Sequence, residues 1–316
     1  MSTNKVHSQN EEKSEEDRSK YIVYRNDIKF KNYRKIDPEK AIWASDNVKK
    51  DFMKYDTDKL EYRLKECRRE KYQLLDLSHT TPDVVNEFFS SDFYKRHIDD
   101  IQHLCMSHSN LSELPDLHNL INLETVDISA NDLTEIPKLP GSILELIAND
   151  NKIESLNKDK EMNNLTVLNV SHNRIKKIPK LKKVRKLNIS HNRITTLSDS
   201  YPNVVEFICD NNKNIIQLPG MPKVESLDCS DTKVTQIFDY MNLKYIIWNR
   251  CNINKLKRVP QLDTLEIIDT NLDNLDYFPN LKTLYFSKST KFLISDEYTV
   301  KSTHMNKKNI YNVYFE

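Results

Sequence analysis

Four Ser-His dipeptides, Ser78-His79, Ser107-His108, Ser171-His172 and Ser190-His191, are the residues whose types could do chemistry most directly. A hydroxyl beside an imidazole suits nucleophilic catalysis, provided nucleophile and base converge on one point. Adjacent residues of an extended chain point to opposite faces, so these pairs are expected not to converge. Metal binding is the second chemistry: His172 and His191 stand nineteen residues apart in identical surroundings, and His108 belongs to the same series. Zinc sites usually need three or four ligands, and no carboxylate or thiolate completes a set beside these imidazoles. No catalytic residue, metal or cofactor is therefore expected, and His-dependent chemistry stays a remote alternative.

Two further features bear on chemistry. The five cysteines (Cys67, Cys105, Cys209, Cys229 and Cys251) are odd in number, scattered and without metal-type pairing. Cys209 and Cys229 fall where neighbouring segments carry Val or Ile, so they read as small core residues. The run RIKKIPKLKKVRK, 174–186, holds eight basic residues and no acid. Nucleic-acid or anionic-surface binding through this run is the alternative function. It lacks aromatics for base stacking, and ordinary solvated surfaces carry such lysines, so nucleic acid is not the expected partner.

The elements that would position these residues come from one repeated phrase. LTVLNVSHNRIKKIPKL begins at Leu165, and VRKLNISHNRITTL begins nineteen residues later at Val184. The phrase alternates at period two through Leu168 and Val170, which predicts a short strand. It breaks at Asn173 and returns an Ile two residues on, so the chain turns a corner. One such coil cannot bury its own apolar face, and stacked coils must bury it together. Copies begin at Ile101, Leu123, Ile143, Leu165, Val184, Val204, Val224, Leu243, Leu262 and Leu281, with spacings of 19 to 22. The corner reads Ser109, Asn131, Asn151, Asn173, Asn192, Asn212, Thr232, Cys251, Thr270 and Ser289, small side chains able to satisfy turn backbone. Asn both donates and accepts, so the five central Asn copies are expected to be the most regular. An extra residue in KNIIQLP (213–219) predicts a local irregularity.

This pattern resembles the leucine-rich-repeat family over roughly two-thirds of the chain. The piece EIPKLPGSILELIANDNKIESL looks like the short, Leu-Pro-punctuated class, found in effectors of bacterial pathogens and in proteins of large DNA viruses. Pro115, Pro137, Pro179 and Pro219 carry that punctuation. The resemblance implies an α/β leucine-rich-repeat solenoid, with a curved parallel β-sheet on the concave face and short irregular or 3₁₀ return segments. Some effectors of this class add a ubiquitin-ligase domain with a catalytic Cys. No Cys follows Cys251 and few residues follow the array, so that activity does not carry over.

Around the array, residues 1–19 are charged and polar and read as a disordered tail. Residues 20–100 read as a mainly helical N-terminal cap: a possible strand over 21–36, a helix from Pro38, a second through Leu60 and Cys67, a strand at Tyr72–Leu77, and a helix started by Thr81-Pro82-Asp83 and running through VVNEFFSSDFYKRHI. The array occupies 101–294, and 295–316 forms a C-terminal capping segment ending in NIYNVYFE.

With 48 basic and 47 acidic residues the net charge is +1, so no global field selects nucleic acid or an anionic membrane. Only Gly141 and Gly220 supply glycine, too few for phosphate-cradling loops. No run of about 18 apolar residues predicts a membrane span, and the first residues lack a secretory h-region. Sequons at Asn110, Asn164, Asn169 and Asn188 include two within predicted strands, where a glycan would cover the sheet. A cytoplasmic, intracellular location is expected.

The strand face carries the sharper functional signal. The third, fifth, seventh and eighth positions of each repeat should line the concave side, and there stand Asp127, Glu145, Asp150, Glu206, Asp210, Asp228, Asp231, Glu266 and Asp269. Only Lys186, Arg250 and Lys288 oppose them. Ile147, Ile208, Ile247, Ile268, Tyr245 and Tyr285 are interleaved, and outward apolar residues suit a partner. The expected function is a non-enzymatic scaffold whose acidic and apolar concave face binds a protein with basic and apolar residues.

Overall fold

The computed structural model describes residues 60–316 apart from 157–159, 273, 288–292, 307–308 and 316. The tail over 1–19, the strand over 21–36 and the helix from Pro38 lie outside the described residues. Helices α1 (Leu60–Arg69), α2 (Pro82–Ser90) and α3 (Asp92–His97) precede or flank the first strands. The VVNEFFSSDFYKRHI segment is not one helix. Ser91 sits extended (ψ 155°), and its Oγ donates to the Phe88 carbonyl and accepts from the Tyr94 amide, so one side chain ends α2 and starts α3.

One sheet of 13 strands organises the rest. It begins with β1 (Leu74–Asp76), β2 (His103–Cys105), β3 (Thr125–Asp127) and β4 (Glu145–Ile147). It continues through β5 (Val167–Asn169), β6 (Lys186–Asn188), β7 (Glu206–Ile208) and β8 (Ser226–Asp228). After them come β10 (Tyr245–Ile247), β12 (Thr264–Ile267) and β14 (Thr283–Ser287), all parallel and in register coil by coil. The strand expected at Tyr72–Leu77 is the first rung of the parallel ladder, paired Leu75 to Leu104. The α1 helix packs on this edge strand, where Arg63 donates to the Ser78 carbonyl at 2.7 Å.

The return segments are extended, and the described residues of the array contain no α-helix there. Later returns pair as short parallel strands: β9 (Gln236–Phe238) with β11 (Lys255–Lys257), and β13 (Asn274–Leu275) with β15 (Leu293–Ile294). Among the described residues one 3₁₀ stretch occurs, Lys160–Asn164. The far end closes differently. A hairpin of β16 (Val300–Met305) and β17 (Ile310–Phe315) turns back, and β17 pairs antiparallel with β14, placing Val313 opposite Leu284. Both residues are buried, so the final strand covers an apolar cross-section that another coil would otherwise cover.

The core is the stack of inward positions. All ten repeat-starting residues are buried, and Leu168, Val170, Ile175 and Ile178 show the pattern within one coil. Cys209 and Cys229 are fully buried on the inward side, as their positions implied. Larger side chains replace aliphatics where the repeat drifts. Trp248 is buried and its indole N–H donates to the Val234 carbonyl at 3.2 Å. The extra residue of the 213–219 segment is absorbed just after Asn212. There Ile215 is buried and receives the Lys233 amide on its carbonyl, while Ile216 is 71% exposed.

The corner ladder has a complete hydrogen-bond account. Asn173 donates to the carbonyls of Ala148, Val170 and Ser171 and accepts from the Ile153 amide at 2.9 Å. Asn131, Asn151, Asn192 and Asn212 repeat this arrangement, each linking its own turn to the preceding coil. Thr232 keeps only part of it, donating to the Cys229 carbonyl.

Candidate interaction face

Two rows define the solvent side of the sheet. The third-position row runs through Glu145, Val167, Lys186, Glu206, Ser226 and Tyr245, and the fifth-position row through Asp127, Ile147, Asn169, Asn188, Ile208, Asp228, Ile247, Glu266 and Tyr285. Paired residues of neighbouring strands share a face, so the sheet brings all of these onto one surface. β17 extends it, with Asn312 beside Tyr285 and Tyr314 beside Thr283. Sequence reading did not include Asn312 and Tyr314, because only the antiparallel pairing of the tail puts them there.

The face differs in its charge from the surface expected. Asp127 is half-buried and its Oδ1 accepts from the Ser129 amide and hydroxyl at 2.9 and 2.6 Å. Burial pushes its pKa up, against the pull of the Ser129 hydrogen bonds and of His108. Asp228 likewise accepts from the Ser230 amide at 3.1 Å, and Asn169 and Asn188 hold the same turn with a neutral amide. A fifth-position Asp or Asn thus fastens the residue two places on. Its type repeats because the turn repeats, and this was the available sequence signal.

Several of the remaining acids also have local partners. Asp231 takes a forked guanidinium contact from Arg250. The Nζ of Lys186 lies 3.5 Å from Glu206, whose pKa burial raises and Lys186 lowers. Glu266 accepts from Asn249 at 2.6 Å. Asp210, expected to face outward, is buried, with Asn211 donating to it and His191 at 3.5 Å. Asp150 is exposed and accepts from Asn149, Asp269 is exposed, and Glu145 is half-buried. Lys288 lies outside the described residues.

Ile147 corrects the expectation of an outward apolar residue. It is 5% exposed and lies between Asp127 and Asn169 in the ladder. Strand alternation sets the face but not the depth, and coils only about 5 Å apart let neighbouring side chains cover one another. Ile208, Tyr245, Ile247, Ile268 and Tyr285 are half-exposed on the same side. Across β7, β8, β10, β12 and β14 the fifth row reads Ile208, Asp228, Ile247, Glu266 and Tyr285, an alternation of apolar and acidic side chains.

The Ser-His pairs have their own geometry. Ser171 is buried with its hydroxyl donating to Asn169, while His172 is exposed on backbone with φ 53°. The two side chains diverge because the residue after the seventh position is left-handed in coil after coil, through His79, His108, Ala130, Asp150, His172, His191, Asn211, Asp231, Arg250 and Asp269. Imidazoles in adjacent coils stack: His172 on His191 at 4.0 Å and His79 on His108 at 4.6 Å between ring centroids. Burial, then the neighbouring His108, lowers the His79 pKa. Among the described residues no group of three or more His, Cys, Asp or Glu side chains is placed to hold a metal ion. In the basic run, Lys183 donates to Asn164 and Lys186 faces Glu206, whereas Lys176, Lys177, Lys180 and Lys182 are exposed.

Comparison with known proteins agrees with this architecture. The family model described as leucine-rich repeats (2 copies) matches residues 163–202. The structure of YopM from Yersinia enterocolitica superposes with a TM-score of 0.54 and 28% identity, covering 58% of this chain and 41% of that one. YopM of Yersinia pestis, described as a leucine-rich effector protein, gives a TM-score of 0.56 at 21% identity, covering 63% and 57%. The LRIM1/APL1C complex gives 0.51 at 19% identity, covering 63% and 42%, a likeness of fold alone. This chain thus spans between about two-fifths and three-fifths of those relatives' own length. No curated protein matches the sequence, and no described helix is long and apolar enough to cross a membrane. The chain folds as a leucine-rich-repeat solenoid, and its residues 163–202 match the leucine-rich-repeat model.

Proposed function

We propose that this chain is a non-catalytic scaffold that binds a protein segment across the concave side of its sheet. Structural neighbours of this fold include a complex of two such proteins, LRIM1/APL1C, which supports protein binding as the general role. The single observation behind the choice of face is the row Ile208, Asp228, Ile247, Glu266 and Tyr285. Strands about 5 Å apart put its apolar members about 10 Å apart with a carboxylate between each pair. A helix crossing the strands rises about 5 Å every three to four residues, so apolar side chains seven apart and basic ones between them fit that spacing. Asp127, Glu145, Glu206, Asp231, Tyr245 and Ile268 form the surroundings of this row. Ile147 contributes packing beneath the surface. The five cysteines, all free and buried, fit a reducing intracellular location.

The test follows from the local hydrogen bonds. Asp228→Asn keeps an acceptor for the Ser230 amide, as Asn169 and Asn188 do, and Glu266→Gln keeps one for Asn249. The double variant therefore removes charge while preserving the turns. Ile247→Ser removes the central apolar contact. Partners captured by the wild-type chain should be lost by both variants at unchanged thermal stability, and wild-type capture should weaken with salt. Identical capture by all three proteins would refute the concave-face reading.

A further inference from the structure

A second row of side chains runs along the outside of the corner ladder. The residue after each corner is Lys152, Arg174, Arg193, Lys213 and Lys233 in five consecutive coils, following Asn151, Asn173, Asn192, Asn212 and Thr232. The backbone holds them in equivalent slots: the amides of Lys152, Arg174, Arg193 and Lys233 donate to Leu133, Ile153, Ile175 and Ile215 of the preceding coil. All five are exposed. Lys152, at one end, reaches Asp132 at 2.7 Å. Arg174, Arg193, Lys213 and Lys233 form no ion pair with any described residue.

Like charges stacked about one strand spacing apart repel, and nothing in the corner requires a cation there, since Asp132, Asn252 and Asn271 fill the same slot in other coils. The buried Asn ladder carries the turn whatever follows it. The row is thus a surface feature with no structural use in the described coils.

We propose that this row binds an extended acidic segment of a protein partner, separately from the concave face. Five cations at about 5 Å spacing cover about 20 Å, and an extended segment with acids at alternate positions sets four carboxylates about 7 Å apart over the same length. On its concave flank lie Asp150, His172, His191, Asn211 and Asp231, and on its return flank lie Glu154 and Lys176. A thin acidic strand meets the cations without meeting the carboxylates of Asp150, Asp231 and Glu154, whereas a nucleic-acid duplex would overlie them.

The experiment uses the full chain and a fluorescent nine-residue peptide with Glu at four alternate positions and Ser between them. Fluorescence anisotropy at low ionic strength should show binding that weakens as salt rises. Arg174→Glu with Arg193→Glu should weaken it roughly tenfold, from two reversed charge contacts. Lys257→Glu with Lys301→Glu makes the same change in net charge at exposed sites off the row and should change affinity less than about twofold by that pairwise scale. Asp228→Asn with Glu266→Gln should leave peptide binding intact, which separates failure of this proposal from failure of the concave-face reading. Equal weakening by the two charge-reversed pairs, no peptide binding, or tighter binding of a 12-base-pair DNA duplex with the same dependence on Arg174 and Arg193 would each overturn it.

Discussion

Replacing Asn173 by Ala tests whether the corner ladder holds the coils together. In the folded protein the Ile153 amide has the Asn173 Oδ1 as its partner at 2.9 Å, and Ile153 is fully buried. Removing that acceptor strands a buried donor, at a cost of about 1–3 kcal/mol. The donor side is less exposed to loss. Val170 and Ser171 carbonyls keep the Asn192 side chain and the Asp150 amide, and the Ala148 carbonyl keeps Asn151 at 3.3 Å. Adding one weakened hydrogen bond and a small void gives a total of about 2–4 kcal/mol. Asn173→Thr should cost less, because Thr232 shows that a hydroxyl still reaches the turn carbonyl. Asn173→Asp should cost at least as much as Ala at neutral pH, since a buried carboxylate would face three carbonyl oxygens, and it should recover as acid restores an O–H donor. Urea unfolding gives the magnitude, and hydrogen exchange at the Ile153 amide gives the location. A loss below about 0.5 kcal/mol with unchanged Ile153 protection would refute the ladder as the source of cohesion, given the ordinary cost of a stranded donor.

Two other predictions follow from the same coils. Ala130 holds φ 52°, a left-handed conformation that costs a non-glycine residue about 1 kcal/mol, so Ala130→Gly should raise stability by up to about 1 kcal/mol in thermal unfolding, whereas Ala148→Gly, at a fully buried inward position, should lower it. The pKa of Asp127 is raised in the folded chain, chiefly by burial, so its ionised form opposes folding above that pKa. This cost shrinks as pH falls through the raised pKa toward the ordinary carboxylate value. Asp127→Asn keeps the acceptor for the Ser129 amide and should therefore be more stable than wild type at neutral pH, with the difference narrowing in mild acid when melting temperatures are compared from pH 7 to pH 4.

What could be read from the residues alone was what a repeat forces. A period of 19 to 22 with paired inward apolar positions has no way to bury itself except by stacking, so the parallel ladder, the Asn corners and the core cysteines were legible before any coordinates. So was the side of the sheet on which Ile208, Ile247 and Glu266 stand, because strand alternation assigns a face to each residue. The structure decided what depends on neighbours outside the repeat's own register. Ile147 is buried in its place between Asp127 and Asn169 of the neighbouring coils. Asp127 and Asp228 fasten turns, and Asp231 is taken by Arg250 one coil away. Ser91 divides a helix that periodicity alone would continue, since its hydroxyl caps in both directions. The tail reverses direction to pair with β14 and brings Asn312 and Tyr314 onto the face. Periodicity fixes which way a side chain points, because that is local backbone geometry. Depth, ion pairing and the closing of the last coil are relations between segments about twenty residues apart or more, and only the packed chain brings those segments together.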